Sequence, residues 1–285
     1  MTKSVRIGIS TCPNDTFCFH ALLEGVVQPE GIELEFTLAD VEELNEGMLK
    51  GSFDVGKMSF HAALLQAQKF YVLPAGSALG YGVGPLLLGR AENKRWDPKQ
   101  AHRTLAPGRY TTATLLMRLF YPEQEELEQT VFSEILPALQ TNAADYGVCI
   151  HEGRFVWESL GLACIEDLGE RFEKETNSAL PLGGICVQRA LEPTLAQTLA
   201  RAISDSLEWG LAHPAACLPT MRRYAQEQKD EVLQSHVDLY VNEWTRDLGE
   251  EGRRSLDALS RLAQERGLIP AGVALEVLPH AAPLK

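Results

Sequence analysis

The first 70 residues alternate between strand-like and helix-like patterns, and this alternation constrains the fold more than any other feature of the chain. Residues 5–10 and 32–38 alternate apolar and polar side chains, as half-exposed strands do, and residues 53–58 form a third strand. A helical pattern follows each strand, and Asp40 is a suitable N-cap for the second helix. This β-α-β-α-β-α order predicts a largely parallel sheet covered by helices.

The segment 70–89 carries no charged residue and is long enough to span a bilayer. It also contains two prolines and five glycines, which a lipid-exposed helix does not tolerate at that density. The composition therefore predicts a strand, a glycine-rich turn and a second strand that pass through the interior or between lobes.

The rest of the chain predicts a second α/β unit and then a helical layer. Strand and helix patterns alternate again up to about residue 185, and apolar residues at helical spacing follow at 194–212, 214–226, 230–244 and 250–266. We expect two lobes, the first formed by residues 1–88 and 186–285 and the second by 89–185. An α/β fold of this kind places its ligand in the cleft between lobes, at the carboxyl ends of strands.

Charge and termini limit the partners. The chain has 39 acidic and 26 basic residues, a net charge of −13, which disfavours nucleic acid and anionic membranes as partners. A small anionic substrate remains compatible, because a helix N-terminus binds carboxylates locally. The first ten residues lack an apolar signal core, and the six cysteines form no Cys-x-x-Cys pair, so we expect reduced thiols in the cytoplasm. Most of the cysteines are expected to be buried in strands, including Cys164.

Two turns between a strand and a helix are candidate ligand sites. In residues 10–16, Ser10 or Thr11 is expected to cap the helix, and the exposed backbone amides would bind an anion. A turn without a ligand is an equal alternative. Cys12 precedes the helix N-terminus, which would lower the pKa of its thiol if that thiol is reactive. In residues 108–114, three threonines exceed what one helix cap requires, which favours a small polar or anionic ligand. The members of this threonine cluster are Thr111, Thr112 and Thr114. Neither a Walker A loop nor a dinucleotide glycine pattern is present, so no nucleotide cofactor is expected.

Two further side chains are candidates for chemistry. His151 follows the apolar strand at 147–150, and a neutral imidazole there is a suitable general base. Glu152 either orients the imidazole or only places a favourable negative charge at a helix N-terminus. Lys57 is the lone charge in an apolar neighbourhood and binds a substrate carboxylate or faces solvent at a strand edge. The other histidines are weaker candidates: His61 faces the cleft or solvent, and His236 is assigned to the helical tail. No metal-ligand spacing and no serine-hydrolase motif is present, so no metal is expected.

Eight motifs of the chain, taken together, resemble the 1,4-dihydroxy-6-naphthoate synthase family of the futalosine route to menaquinone. The resemblance covers nearly the whole chain, with small departures at Thr11, where proline is common, and at Gly153, where serine is common. The motifs, in chain order, are Cys12–Phe17, Asp40–Asn45, Lys57–Ser59, Gly80–Pro85, Gly108–Ala113, Ile150–Phe155, Pro181–Gly183 and His236–Asn242.

The resemblance implies a two-lobed, periplasmic-binding-protein-like (type II) α/β fold that serves as a cytoplasmic, cofactor-independent lyase. The implied substrate is cyclic dehypoxanthinyl futalosine, a small carboxylate, and the products are 1,4-dihydroxy-6-naphthoate and dihydroxyacetone. The family's proton-abstracting histidine corresponds to His151. The predicted substrate-binding residues are Asp15, Asn45, Lys57, Met58, Ser59, Thr111, Thr112 and Thr114. A homodimer is compatible with this prediction.

Two alternatives remain open from the sequence. One is the chorismate dehydratase of the same pathway and fold, which the His151–Glu152 motif disfavours. The other is a non-catalytic solute-binding protein, which the lack of a signal or lipoprotein sequence disfavours. Incubation with each candidate ligand separates binding from conversion.

Overall fold

A computed structural model describes residues 3–91, 96–124, 126–151, 153–225 and 229–279. The strands in this part of the chain are β1 (Lys3–Ser10), β2 (Ile32–Ala39), β3 (Val55–Ser59), β4 (Phe70–Val72), β5 (Ala78–Gly80), β6 (Leu86–Arg90), β7 (Thr104–Ala106), β8 (Leu127–Gln129), β9 (Tyr146–Cys149), β10 (Leu162–Asp167) and β11 (Leu180–Gln188). The α-helices are α1 (Pro13–Cys18), α2 (His20–Leu23), α3 (Val41–Lys50), α4 (Phe60–Leu65), α5 (Thr112–Phe120), α6 (Phe132–Gln140), α7 (Gly153–Val156), α8 (Leu168–Thr176), α9 (Pro193–Ala212), α10 (Pro214–Tyr224), α11 (Asp230–Tyr240), α12 (Glu243–Arg246) and α13 (Gly249–Glu265).

The first sheet has the strand order β2-β1-β3-β11-β4, with β5 also paired to β11. Strand β1 is parallel to both of its neighbours, which confirms the parallel arrangement that the alternating pattern predicts. Strand β11 is antiparallel to β3, β4 and β5. Because β1 and β3 run in the same direction, their last residues, Ser10 and Ser59, lie at one edge of the sheet.

The second sheet has the order β10-β6-β9-β7-β8. Strand β7 is parallel to β8 and β9, whereas β6 is antiparallel to β9 and β10. The carboxyl ends of β7 and β9 lead into the threonine cluster and into His151. Two mixed sheets with covering helices confirm the predicted two-lobed α/β fold.

The chain crosses between the sheets twice, once between β5 and β6 and once between α8 and β11. The boundaries predicted after residues 88 and 185 fall inside β6 and β11, since continuous apolar strands give no signal for a crossing. The assignment of residues to two lobes stays a prediction. The uncharged segment 70–89 forms strands joined by turns, as predicted, but it contains three of them, β4, β5 and most of β6, instead of the predicted two. In the part of the chain that the structure describes, no helix combines the length and the apolar character needed to cross a membrane.

The two sheets contact each other through part of their apolar core. A single buried cluster includes Met58 and Phe60 from the first sheet and its helix α4, Leu87 and Val148 from the second sheet, and Leu115 from α5. This packing holds the N-terminus of α5 against the carboxyl edge of the first sheet. The candidate site is therefore supported by buried side chains from both sheets.

Two local predictions are wrong. The helix predicted over 230–244 is interrupted after Tyr240, because Asn242 begins α12 and accepts a hydrogen bond from the Trp244 amide at 3.0 Å. Cys164 is exposed rather than buried, because β10 is the edge strand of its sheet and a bulge follows this residue.

Candidate functional site

The turn after β1 presents Ser10, Asn14 and Asp15 at the carboxyl edge of the first sheet. The prediction that Ser10 or Thr11 caps α1 is wrong: Cys12 occupies the N-cap position and no side chain caps the helix. The Ser10 hydroxyl donates to Asp15 Oδ2 at 2.6 Å and accepts from the Cys12 amide at 3.2 Å. The turn therefore orients a buried carboxylate instead of only starting a helix.

Lys57 and Asp15 form a buried ion pair on this edge. Lys57 Nζ lies 2.6 Å from Asp15 Oδ1, and the residues are 6% and 2% exposed. Asp15 also accepts from Asn14 Nδ2 at 2.9 Å, so its charge is well compensated. The alternative of a solvent-facing lysine is wrong, because β3 is a central strand of the sheet. Both partners line the candidate pocket, as does Met58 between Lys57 and Ser59.

Two hydrogen bonds with Asn45 fix the position of Ser59. The Ser59 amide donates to Asn45 Oδ1 at 2.8 Å, and Asn45 Nδ2 donates to the Ser59 hydroxyl at 3.1 Å. Ser59 lines the pocket, whereas Asn45 is fully buried and lies outside the pocket lining among the described residues. Asn45 therefore positions Ser59 and does not itself line the pocket.

The threonine cluster forms the opposite wall, where Gly108 turns the chain with a φ of 112°. Thr111 caps α5: its hydroxyl accepts from the Thr114 amide at 3.2 Å and donates to the Gly108 carbonyl at 2.9 Å. The Thr114 hydroxyl donates to the same carbonyl at 2.6 Å. The Thr112 hydroxyl donates to the Leu182 carbonyl of β11 at 2.6 Å, which ties α5 to the first sheet.

These hydroxyls are therefore engaged within the protein, and the backbone supplies the remaining donors. Thr111, Thr112 and Ala113 line the pocket, whereas Thr114 lies outside the lining that the described residues form. The first amides of a helix have no intrahelical acceptor, and those of Thr112 and Ala113 find no partner among the described residues. The start of α5 thus offers two N–H donors and the positive end of a helix to the pocket.

His151 follows β9 with a φ of 57°, a left-handed conformation that residues with side chains seldom adopt. One ring nitrogen, Nδ1, lies 3.3 Å from Cys12 Sγ, and Phe132 contacts the ring edge-to-face with centroids 4.8 Å apart. Burial lowers the pKa of His151 to about 4, an effect that Asp15 opposes and Lys57 reinforces. The imidazole is therefore neutral at neutral pH and able to accept a proton. Glu152, its predicted partner, lies outside the described residues.

Sequence reasoning missed His236, which the structure places in the same pocket. His236 and Tyr240 lie one helical turn apart on α11 and both line the pocket. The His236 side chain is 1% exposed, and neither ring nitrogen has a hydrogen-bond partner in the described structure. Its ring faces that of His151, with centroids 6.4 Å apart and planes 23° apart. Its place in the motif His236–Asn242 is the available signal, but a histidine on an apolar helix face is also typical of a core.

His61, by contrast, serves the framework. His61 does not belong to the pocket lining that the described residues form, and it does not face solvent. It is buried, and its Nδ1 is 3.1 Å from the Thr111 carbonyl. Burial lowers the pKa of His61 to about 4, so this ring is also neutral. The Nδ1–H therefore donates to the carbonyl and fixes α4 against the threonine cluster.

The assembled pocket combines a neutral base, a compensated ion pair and a helix N-terminus within apolar walls. Val41, Ala78, Val83 and Leu182 supply apolar surface around the polar groups. The described residues contain no group of three or more His, Cys, Asp or Glu side chains arranged to hold a metal ion. Such a site is suited to binding an anionic small molecule and removing a proton from it.

Comparison with known proteins agrees with this chemistry. A family model described as menaquinone biosynthesis matches residues 5–265. Proteins named 1,4-dihydroxy-6-naphthoate synthase from Thermus thermophilus and Streptomyces coelicolor are 40% and 37% identical to the chain; the matches cover 93% and 94% of this chain, and 96% and 95% of those proteins.

Solved structures agree on the fold. A crystal structure of a protein from Archaeoglobus fulgidus has a TM-score of 0.87 at 28% identity, covering 93% of this chain and 98% of that one. The periplasmic aliphatic sulphonate binding protein from Escherichia coli has a TM-score of 0.61 at 15% identity, with 96% of each chain covered. The second likeness supports the two-lobed, periplasmic-binding-protein-like fold alone.

Proposed function

Since the chain belongs to the menaquinone biosynthesis family, we propose that it is a 1,4-dihydroxy-6-naphthoate synthase. Its substrate is cyclic dehypoxanthinyl futalosine, and its products are 1,4-dihydroxy-6-naphthoate and dihydroxyacetone. The enzyme acts as a cytoplasmic carbon–carbon lyase without a cofactor.

The position of His151 is the observation that carries this proposal. A neutral imidazole at the end of β9 faces a pocket that also contains a helix N-terminus and a buried ion pair. His151 removes a proton from the substrate, the carbon–carbon bond to the three-carbon fragment breaks, and the new ring becomes aromatic. The fragment leaves with the electron pair of the broken bond and takes up the proton from His151, which yields dihydroxyacetone and restores the neutral base. Aromatisation supplies the driving force, so the protein has only to supply a base, orientation and donors for developing negative charge.

The start of α5 binds the substrate carboxylate. A chain with a net charge of −13 repels an anion at long range, so the attraction has to be local. The Thr112 and Ala113 amides and the positive end of α5 supply it, and Ser59 donates from the opposite wall of the pocket. The ion pair of Lys57 with Asp15 keeps the floor of the pocket polar without adding net charge.

The test is conversion of substrate by the purified chain. Incubation with cyclic dehypoxanthinyl futalosine should yield 1,4-dihydroxy-6-naphthoate and dihydroxyacetone in equal amounts, measured by chromatography with absorbance and mass detection. Parallel incubations with chorismate and with substrate plus a metal chelator are the controls. Dehydration of chorismate without naphthoate formation would replace the proposal with the sibling activity. Binding of either compound without conversion would make the chain a solute-binding protein.

A further inference from the structure

His236 is a buried side chain whose polar atoms nothing in the described protein satisfies. Both ring nitrogens lack hydrogen-bond partners, although the residue is only 1% exposed. A buried polar group without a partner destabilises the folded state, and native proteins seldom retain one without a reason. The neighbours of the ring are Tyr240, with centroids 4.5 Å apart, and Phe155, at 6.3 Å, and their ring systems do not replace an acceptor.

The ring also faces the base. His236 and His151 line the same pocket from different parts of the fold, α11 and the end of β9, and their planes are nearly parallel. The centroid separation of 6.4 Å is too large for direct stacking contact. Imidazole nitrogens donate and accept hydrogen bonds in the plane of the ring, so two nearly parallel rings that are not in stacking contact can share one oxygen atom at their edges, with hydrogen bonds of about 2.7–3.2 Å.

We propose that His236 is a second catalytic imidazole, which hydrogen-bonds a substrate hydroxyl or carbonyl oxygen held between its ring and that of His151. The inference rests on the proposed function, because the oxygen belongs to the substrate that His151 deprotonates. Burial keeps the pKa of His236 well below its ordinary value, and the neighbouring His151 lowers it further. The ring is therefore neutral, with one N–H to donate and one nitrogen to accept, and it holds the reacting centre in line with the base.

The substitution His236→Phe separates this role from a structural one. Phenylalanine keeps a flat ring on α11 and removes both nitrogens, so no satisfied hydrogen bond is lost from the free protein. The melting temperature should be unchanged or higher, whereas kcat/KM should fall about 10- to 100-fold because a substrate oxygen loses its partner. His236→Gln keeps a donor and an acceptor and should recover part of the lost kcat/KM.

His20→Phe is the matched control. His20 is also buried, but its Nδ1 lies 2.8 Å from Thr220 Oγ1 and its ring stacks on Trp209, outside the pocket. This variant should lower the melting temperature and leave kcat/KM within about twofold of the wild type, since it breaks a framework hydrogen bond.

The outcomes separate the inference from the function. If the wild type forms no naphthoate product, the proposed function fails and the inference falls with it. If the wild type is active and folded His236→Phe retains kcat/KM within about twofold, only the role of His236 is overturned. That role is also overturned if His236→Phe lowers the melting temperature and loses activity only in proportion to the unfolded fraction.

Discussion

His151 combines an unusual backbone conformation with a neutral ring, and each property has a physical cause. With a φ of 57°, the chain turns directly after β9 and the imidazole lines the pocket, where contacts with Cys12 and Phe132 fix its orientation. Such strain persists only where the surrounding structure enforces it, and it is concentrated at functional sites. Burial then removes the charge that would prevent the ring from accepting a proton.

Substitution of His151 should remove turnover without unfolding the protein. His151→Asn is the preferred variant, because asparagine tolerates the left-handed conformation better than most residues do. Loss of a general base should lower kcat about 100- to 10,000-fold. Steady-state kinetics and a melting curve measure the two effects, with His61→Asn as a control that alters the framework instead of the base. Retention of more than about a tenth of the wild-type kcat would show that another group is the base.

The dependence of activity on pH should follow the ionisation of His151. The base is active when neutral, so kcat/KM should stay constant from neutral pH downwards and fall as pH passes through about 4, well below the 6.5 of an ordinary histidine. Stability falls earlier, between pH 6.5 and about 4, because His61 and His151 are still neutral in the folded state there while the unfolded state already binds protons. Assays after return to neutral pH distinguish unfolding from titration. A reversible midpoint near 6.5 would contradict the assignment.

Among the elements, α5 connects the two sheets through its first turn. The Thr112 hydroxyl donates to the Leu182 carbonyl at 2.6 Å, and His61 holds the Thr111 carbonyl from α4. The amides proposed to bind substrate are thus fixed relative to Ser59 on the other wall. The threonine cluster exceeds what capping requires, and the structure assigns the excess to this connection between elements.

Thr112→Val should weaken both substrate binding and stability. Valine keeps the shape and removes the hydroxyl, so the Leu182 carbonyl loses its donor and the start of α5 is less firmly placed. We expect KM to rise about tenfold with little change in kcat, and the free energy of unfolding to fall by about 1 kcal/mol. Thr112→Ser, which retains the hydroxyl, is the matched control and should remain close to the wild type. A lowered stability with an unchanged KM would limit Thr112 to a framework role.

The elements that the sequence predicts well are those whose signal is local. Alternation at 5–10 and 32–38 and the N-cap at Asp40 depend on neighbouring residues, and β1, β2 and α3 agree with them. The partner of Lys57 lies 42 residues away in Asp15, so no local pattern reveals it. His236 escapes prediction for a related reason, since helical periodicity does not distinguish a core histidine from one that faces a pocket formed by distant elements.

At the scale of the whole molecule, the first crossing between the two sheets packs tightly against α8, where the backbones of Gly84 and Gly169 meet. Gly84 lies in the first crossing, between β5 and β6, and also lines the pocket. A Cβ atom on Gly84 would lie 2.3 Å from Gly169 Cα at the start of α8. Arg154 clamps the same place by donating to the Gly84 carbonyl and to Asp167 Oδ2, each at 2.6 Å. Because the atoms in contact here belong to the backbone, a side chain added at Gly84 could not be accommodated by rotation of a neighbouring side chain.

Gly84→Ala should disturb the whole molecule. The added methyl group meets backbone atoms, so the crossing and α8 must move apart, and overpacking of this kind costs about 1–3 kcal/mol of unfolding free energy. The pocket wall moves with the crossing, so KM should rise as well. Urea unfolding and steady-state kinetics measure the two effects. Gly82→Ala is the matched control: its Cβ would meet no atom within 4 Å, and only its φ of 68° resists substitution. Equal losses of stability in both variants, with KM unchanged in Gly84→Ala, would show that the close contact at the crossing does not hold the pocket in shape.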